Sequence, residues 1–366
     1  MPDTLTILGA GNTAFATAAR LTLQGHAVTL FELPEFASAL DPIRPDRTIT
    51  LRGVAETGPA VIHALTTDPA EAAASSDLLL LIVPAYAHRP FAEALAPHLT
   101  KDHTVVLMPG TLGSLEWAKV LEDRDIKGVT LAEVDTAPYV CRKTEPNEAT
   151  IWGIVSGLGL GVFPAERTQT VLKRLDPLFP GLHAYPDVAA CGLSAMNPVV
   201  HPAGVLMNAG RVEYSRGDFY FYEEGVSPSV AKVIMQVDDE RRAVGAALGY
   251  DLTRVDDAFH QAGFGPKGDL WATINGSRML TQLRAPGTLD SRWLTEDIPY
   301  GIAVWTALGA RLKVPTPTMR ALVDLGSIVM GVDGWSVGRN LSDLGIDDLA
   351  GNVPELTRYL QEGKKA

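Results

Sequence analysis

From Thr4 to Ala14 the chain reads Thr-Leu-Thr-Ile-Leu-Gly-Ala-Gly-Asn-Thr-Ala. A short apolar strand runs straight into a glycine turn, and the turn opens a helix. Each position has a physical task. Gly9 allows the tight turn, Gly11 lets the backbone approach a diphosphate, and the small Ala14 lets the helix lie on the strand. The first helical N–H groups, including those of Asn12 and Thr13, then point outward at the positive end of the helix dipole. The flanks agree with this reading. Asn12 to Gln24 carries Phe15, Ala19 and Leu23 at helical spacing. A second strand, Ala27 to Phe31, ends on Glu32, which lies 23 residues past Gly9, close to the ~20 expected for a carboxylate that binds a ribose. A glycine turn used only for packing would not need the acid at that distance. The joint pattern is that of a dinucleotide-binding unit.

At 366 residues the chain is long enough for two domains, and its 46% hydrophobic content is that of an ordinary globular protein. The net charge of −12 argues against a nucleic-acid surface. It does not imply a cationic substrate, because a negative surface mainly aids solubility. Only Cys141 and Cys191 are present, too few for a disulfide framework, so a reducing compartment is expected. The longest apolar run, Leu78 to Ala85, falls far short of a membrane span, and the N-terminus lacks a basic leader. The sequence therefore predicts a cytoplasmic protein with no nucleic-acid or membrane partner. No metal site is expected.

Strands and helices alternate through the first half. Strand signals recur near Thr48 to Leu51, Val61 to Leu65, Asp77 to Val83, Thr104 to Met108 and Val129 to Val134. Helices are expected near Ala70, over His88 to Leu99, over Ser114 to Leu121 and near Arg167 to Leu178. The glycine-rich stretch Val140 to Phe163 reads as hairpins that finish the domain. The fold class is an α/β Rossmann-type N-terminal domain, residues 1–186, with a doubly wound parallel sheet. Residues 187–366 read as an all-α domain. Ser227-Pro228 starts a long helix with the apolar stripe Val230, Val233, Ile234, Val237 and Val244, and Gly249 stops it. Further helical patterns cover Pro299 to Leu312 and Thr316 to Val329, and the tail from Gly363 to Ala366 is expected to fray.

Ligands of open α/β sheets bind beyond the carboxyl ends of the strands. Val83 and Pro84, Pro109 and Gly110, and Asp135 all follow predicted strands, and the helical domain is expected to supply the facing wall. Asp135 has two readings: it receives a cationic side chain of a substrate, or it caps the turn toward Pro138 or meets the cofactor. In the second half, Asn197 and His201 lie four apart and share a helix face. A lone histidine among apolar residues is more often structural than catalytic. In Arg292-Trp293-Leu294-Thr295-Glu296-Asp297, the arginine could grip a carboxylate and the aspartate could orient a histidine, or the two could be a surface charge and a cap.

The whole chain resembles the octopine/nopaline (opine) dehydrogenase family. The resemblance is carried by Gly9-Ala-Gly11-Asn-Thr-Ala14, Leu81-Ile-Val-Pro84-Ala85, Pro109-Gly110, Glu133 and Cys141-Arg142. In the second half it is carried by Asn197-Pro-Val-Val-His201-Pro202, Glu224-Gly225-Val-Ser-Pro228-Ser229-Val230, Val237-Asp-Asp-Glu240-Arg241 and Val314-Pro315-Thr316-Pro317. The Asn-x-x-x-His-Pro element discriminates, since generic Rossmann dehydrogenases do not need it. The resemblance implies that His201 is the acid/base, that Asp297 is its partner, and that Arg292 and Asn197 touch a keto acid. It implies an NAD(P)H-dependent condensation of an amino acid with a 2-keto acid, and a protein that is a monomer or a homodimer. NAD(H) is favoured over NADP(H), because Glu32 can take both ribose hydroxyls and repel a 2′-phosphate, and no Arg or Lys follows it until Arg44. The alternatives are a 2-hydroxy-acid or ketopantoate-type reductase on the same plan, and a dinucleotide-binding regulator without turnover.

Overall fold

The computed structural model describes residues 3–365. It divides into two compact units, one running to Val188 and including Leu360–Gly363, the other comprising Ala189–Tyr359 and the residues after Gly363.

The first unit holds strands β1 (Thr4–Leu8), β2 (Ala27–Phe31), β3 (Thr48–Gly53), β4 (Gly58–Val61), β5 (Ala64–Thr66), β6 (Leu78–Leu81), β7 (Thr104–Leu107) and β8 (Thr130–Val134). Strands β9 (Tyr139–Glu145), β10 (Glu148–Ile154), β11 (Gly159–Phe163) and β12 (His183–Ala184) follow. Its helices are α1 (Asn12–Leu23), α2 (Pro69–Ser75), α3 (His88–Leu95), α4 (Gly113–Asp123) and α5 (Thr168–Leu175). The main sheet runs β12-β11-β8-β7-β6-β1-β2-β5. From β5 to β8 all pairs are parallel, in the strand order of a Rossmann sheet. Every residue of β6 is buried, as its unbroken leucines require of a strand covered on both faces.

Four expectations need correction. The main sheet is not parallel throughout, because β11 pairs antiparallel with β8. The stretch Val140 to Phe163 is divided: β9 and β10 form a hairpin in a second sheet of order β4-β3-β10-β9, and only β11 joins the main sheet. The single β segment expected at Val61 to Leu65 is two strands, β4 pairing with β3 and β5 with β2. Helix α3 ends at Leu95, and a 3-10 turn over Ala96–His98 carries Pro97, which has no N–H to continue an α-helix.

The second sheet is fastened to α1. Arg20 donates through Nε to Glu56 at 2.8 Å and through Nη1 to the Tyr139 hydroxyl at 3.1 Å. Gln24 donates to the other Glu56 oxygen at 2.7 Å. The N–H of Lys143, on β9, donates to Asn12 Oδ1 at 2.9 Å, so this sheet reaches the glycine turn itself.

The second unit is helical, and an isolated bridge between Tyr220 and Arg284 is the sole strand-like pairing among its described residues. After α6 (Val188–Leu193) come α7 (Asn197–Leu206), α8 (Ala209–Ser215), α9 (Pro228–Ala247), α10 (Val255–Gln261), α11 (Leu270–Asn275), α12 (Arg292–Thr295), α13 (Ala303–Arg311), α14 (Pro317–Met330) and α15 (Val353–Glu362). The helical pattern at Pro299 to Leu312 is interrupted: a one-turn π-helix over Ile298–Ile302 precedes α13. Of the tail expected to fray, Ala366 lies outside the described residues, whereas Lys365 Nζ sits 5.6 Å above the Tyr359 ring. No helix among the described residues is long and apolar enough to cross a membrane.

Helix α9 is the spine of this unit. Ser227 caps it by accepting from the Val230 N–H, and Gly249, at φ +87°, follows its end. Val230, Ile234, Val237 and Val244 are buried, and Val233 is partly covered. The same helix buries Asp238, Glu240 and Arg241. Arg241 donates to Asp238 Oδ1 at 3.0 and 2.6 Å, and to the carbonyls of Leu193 and Thr253 at 2.7 and 2.6 Å. Asp238 Oδ2 accepts from the Val255 N–H at 3.1 Å. Glu240 accepts from the N–H groups of Thr318 and Met319 and so caps α14. Removing the arginine leaves a buried, uncompensated carboxylate. Arg241→Met is expected to lower the stability of the helical unit by about 3–5 kcal/mol, read as a shift of its urea midpoint by circular dichroism. A shift worth under about 1 kcal/mol would mean that water reaches Asp238.

Candidate cofactor loop and candidate active-site residues

Strand register fixes the loop. Leu8 pairs with Phe31 on one side and Leu81 on the other, Leu81 with Leu107, and Leu107 with Glu133. The chain thus leaves β1, β2, β6, β7 and β8 along one edge of the sheet. Gly9 adopts φ +109°, and a Cβ there would lie 2.5 Å from Val83 Cγ1 and 2.8 Å from the Ile82 carbonyl. Gly11 precedes α1 with open space where a Cβ would stand, and no side chain caps the helix. Asn12 and Thr13 form its first turn, and Ala14 is buried beneath. Outward N–H groups in front of a side-chain-free approach fit a dinucleotide pyrophosphate. Val83 and Pro84 follow β6 and are half-covered. Pro109 and Gly110 follow β7, where a Cβ on Gly110 would lie 2.2 Å from Glu133 Cβ.

Glu133 builds that second loop. Fully buried on β8, it accepts from the Leu112 N–H at 2.9 Å, the Ser114 N–H at 3.0 Å and the Ser114 hydroxyl at 2.6 Å. These bonds hold Thr111 and Leu112 at φ +49° and +69°, a region that L-residues seldom occupy. The sequence marked Glu133 by resemblance and gave it no task.

Glu32 ends β2 where the sequence placed it, but it is not idle. Its Oε2 accepts from the Ala10 N–H at 2.8 Å and its Oε1 from the Leu33 N–H at 2.9 Å. One acceptor position on each oxygen is left for ribose hydroxyls. Burial raises its proton affinity above that of an ordinary carboxyl, and the two N–H bonds and the charge of Lys143 oppose the rise. That lysine corrects the sequence reading: no cation follows Glu32 before Arg44, yet β9 brings one beside it in space.

Asp135 follows β8 and is engaged on both oxygens. Its Oδ1 accepts from the Gly159 N–H at 3.1 Å and its Oδ2 from the Tyr185 hydroxyl at 2.9 Å. Burial pushes its pKa up to about 6 despite these donors. These bonds tie Asp135 to β11 and to the segment after β12, so the carboxylate helps to hold the sheet edge together.

In the helical unit the structure joins residues far apart in sequence. His201, on α7, lies with its Nδ1 2.8 Å from Asp297 Oδ2 and its Nε2 3.1 Å from the Tyr222 hydroxyl. Its ring stacks on Trp293 at 4.3 Å between centroids and 5° between planes, with Phe221 against its edge. His201 and Asp297 are 7% and 8% exposed, so bulk water does not compete for their contact. Burial raises the proton affinity of Asp297, against the bond to His201 and the charges of His201 and Arg292. Burial and the charge of Asp297 raise that of Tyr222, which keeps its phenol protonated. With Nδ1–H given to the carboxylate, Nε2 accepts from the phenol. Tyr222 lies in a one-turn π-helix over Phe221–Gly225, and Asp297 immediately precedes the one at Ile298–Ile302. Such turns are rare and concentrate at functional sites. Sequence reasoning assigned no role to Tyr222 or Trp293; their one signal was aromatic character beside the elements that were singled out.

Asn197 opens α7 four residues before His201, is exposed, and makes no side-chain hydrogen bond among the described residues. The Arg292 side chain is 59% exposed, and its approach to Glu296 is loose at 3.8 Å. Its guanidinium fork is therefore not committed to an internal carboxylate.

An imidazole held between a buried carboxylate and a phenol, in a chain that also carries a dinucleotide loop, equips an oxidoreductase that moves a proton as well as a hydride. Residues 184–330 match the family model of the NAD/NADP octopine/nopaline dehydrogenase α-helical domain, and residues 4–108 match that of the coenzyme F420-dependent NADP oxidoreductases. An opine dehydrogenase of Arthrobacter sp. (strain 1C) is 29% identical over 94% of this chain and 96% of its own. Octopine dehydrogenase, solved with NADH and L-arginine, superposes with a TM-score of 0.77 at 20% identity over 100% of this chain and 99% of its own. Yersinopine dehydrogenase with NADP+ bound superposes at 0.76 and 14% identity, over 99% of both chains. The chain is thus similar from end to end to the opine dehydrogenases, NAD(P)-dependent oxidoreductases acting on CH–NH donors.

The phenol at Nε2 is open to test. Tyr222→Phe keeps the ring against Phe221 and removes only the hydroxyl. It is expected to lower kcat about three- to tenfold, the value of one hydrogen bond between neutral groups, and to leave the dissociation constant for dinucleotide unchanged. An unaltered kcat in steady-state assays would make Tyr222 a packing residue.

Proposed function

We propose that the chain joins the amine of an amino acid to the ketone of a 2-keto acid and reduces the product, and that it runs the reverse reaction. The amine and ketone condense with loss of water, and reduction of the resulting C=N bond leaves a secondary-amine dicarboxylate. The observation that carries this reading is His201, buried between Asp297 and Tyr222 in the segment matched by the family's helical-domain model. Bound dinucleotide supplies the hydride. Gly9, Gly11, Asn12, Thr13, Ala14 and Glu32 hold its phosphates and ribose, and Val83, Pro84, Pro109 and Gly110 line the neighbouring strand ends. His201 donates a proton as the carbonyl oxygen departs in water, and takes one from the amine in the reverse direction. Asp297 keeps the ring in its Nδ1–H form and stabilises the charged imidazole. Arg292 receives the keto-acid carboxylate through two parallel N–H bonds, with Asn197 beside it. Octopine dehydrogenase is solved with L-arginine and with pyruvate, which makes these two the first substrates to try. The sequence has only two cysteines, Cys141 and Cys191, too few for a disulfide framework, which fits work in the reducing cytoplasm.

The test is an NADH-oxidation screen of amino acids crossed with pyruvate, glyoxylate and 2-oxoglutarate, with product mass measured. Oxidation is expected only with both partners present. Turnover on keto acid alone would make the chain a hydroxy-acid reductase. His201→Ala is expected to cut turnover by roughly 10²–10⁴. Asp297→Ala added to it should cost little more, because residues acting as one unit are not additive. A folded His201→Ala enzyme with normal kcat would remove the assignment.

NADH is the expected preferred cofactor. Glu32, with one acceptor position left on each oxygen, suits two ribose hydroxyls and repels a 2′-phosphate. Equal kcat/KM with NADH and NADPH would refute this preference.

A further inference from the structure

Lys143 belongs to β9 of the small sheet, yet its ammonium lies at the glycine turn of the large one. Its backbone is pinned there by the bond from its own N–H to Asn12 Oδ1 at 2.9 Å. Its Nζ stands 3.6 Å from the centroid of the Phe15 ring, the first aromatic of α1. Its hydrogen bond is a long one, 3.5 Å to the Ala10 carbonyl. An ammonium carries three donors, and no ion pair occupies this one among the described residues. Glu32 acts on it through charge without touching it. Ala10 thus has the carboxylate of Glu32 at its N–H and the ammonium of Lys143 at its carbonyl, at 2.8 and 3.5 Å. A half-buried cation with unmet donors, fixed beside a helix start shaped for phosphate, is set to receive phosphate oxygens.

We propose that Lys143 is a phosphate ligand of the bound dinucleotide, supplied to the Rossmann loop by the second sheet. The proposal rests on the dinucleotide reading of the glycine turn. Two phosphates offer the required chemistry: the pyrophosphate common to NADH and NADPH, and the ribose 2′-phosphate of NADPH alone. Proximity to Glu32, the ribose-side acid, favours the 2′-phosphate. Lys143 then gives the chain its residual affinity for NADPH, against the repulsion from Glu32.

The experiment measures dissociation constants of NADH and NADPH by fluorescence titration or calorimetry, with no substrate present, for wild type, Lys143→Met and Lys143→Arg. Methionine retains the contact with Phe15 and removes the charge. Lys143→Met is expected to weaken NADPH about tenfold or more, and Lys143→Arg to restore most of the loss. An unchanged NADH constant assigns Lys143 to the 2′-phosphate, and an equal loss for NADH assigns it to the pyrophosphate. If neither constant moves by more than about twofold in folded protein, the proposal is overturned while the dinucleotide reading stands. Wild type that binds neither nucleotide overturns both. Thermal melting of each variant confirms that the fold is intact.

Discussion

The missing side chain at Gly9 is the constraint on which the first unit depends. A Cβ there would overlap Val83 and the Ile82 carbonyl, at 2.5 and 2.8 Å. Without it, the turn leaving β1 passes directly over the end of β6, and the Gly9 N–H reaches the Phe31 carbonyl at 2.8 Å. Three strand ends meet through one residue. Pushing them apart would break the row in which Glu32 follows β2 and Pro109 follows β7, and would tilt α1 away from the strand that aims it. The left-handed φ of +109° would strain any other residue even if the space existed. The anion-facing helix start and the parallel register are therefore one device.

Buried acids recur through both units, and most are organisers of backbone. Glu32 joins the Ala10 and Leu33 peptides. Glu133 holds the start of α4. Asp238 takes the first N–H of α10, and Glu240 caps α14. Each meets donors that cannot leave, so its charge is matched permanently. Asp297 differs in kind. Its partner is an imidazole, a side chain that can both give and take a proton. A carboxylate matched to a titratable ring is costly to bury and is best explained by work done with the proton.

The legible parts of the sequence were those with local physics. The strand, glycines, helix and acid at the N-terminus were readable because turn geometry and helix dipoles act over a few residues. Ser227, Pro228 and Gly249 marked the limits of α9 for the same reason. Non-local pairing was not legible. Nothing in Val140 to Phe163 says that β9 leaves for a second sheet while β11 returns, since both have strand character and the choice is made by partners as distant as Thr50 and Val134. The segment Val237 to Arg241 stood out by resemblance alone. Its buried residues prove to be structural, Asp238 and Arg241 pairing with each other and Glu240 capping another helix. A motif can identify a family through its core as well as through its chemistry.

The histidine cluster shows the same limit at the site. Helical spacing put Asn197 and His201 on one face of α7, and spacing could go no further. Tyr222 and Asp297 reach the two ring nitrogens from elements 21 and 96 residues away. Both elements contain π-turns, which have no propensity signature because one inserted residue per turn leaves the apolar pattern nearly intact. Tyr222 stands inside one of these turns, and Asp297 stands at the N-terminal edge of the other. Pro299 to Leu312 read as one helix and Phe221–Gly225 carried no helical reading, so neither irregular turn was legible, yet each stands beside a group, phenol or carboxylate, that meets the imidazole.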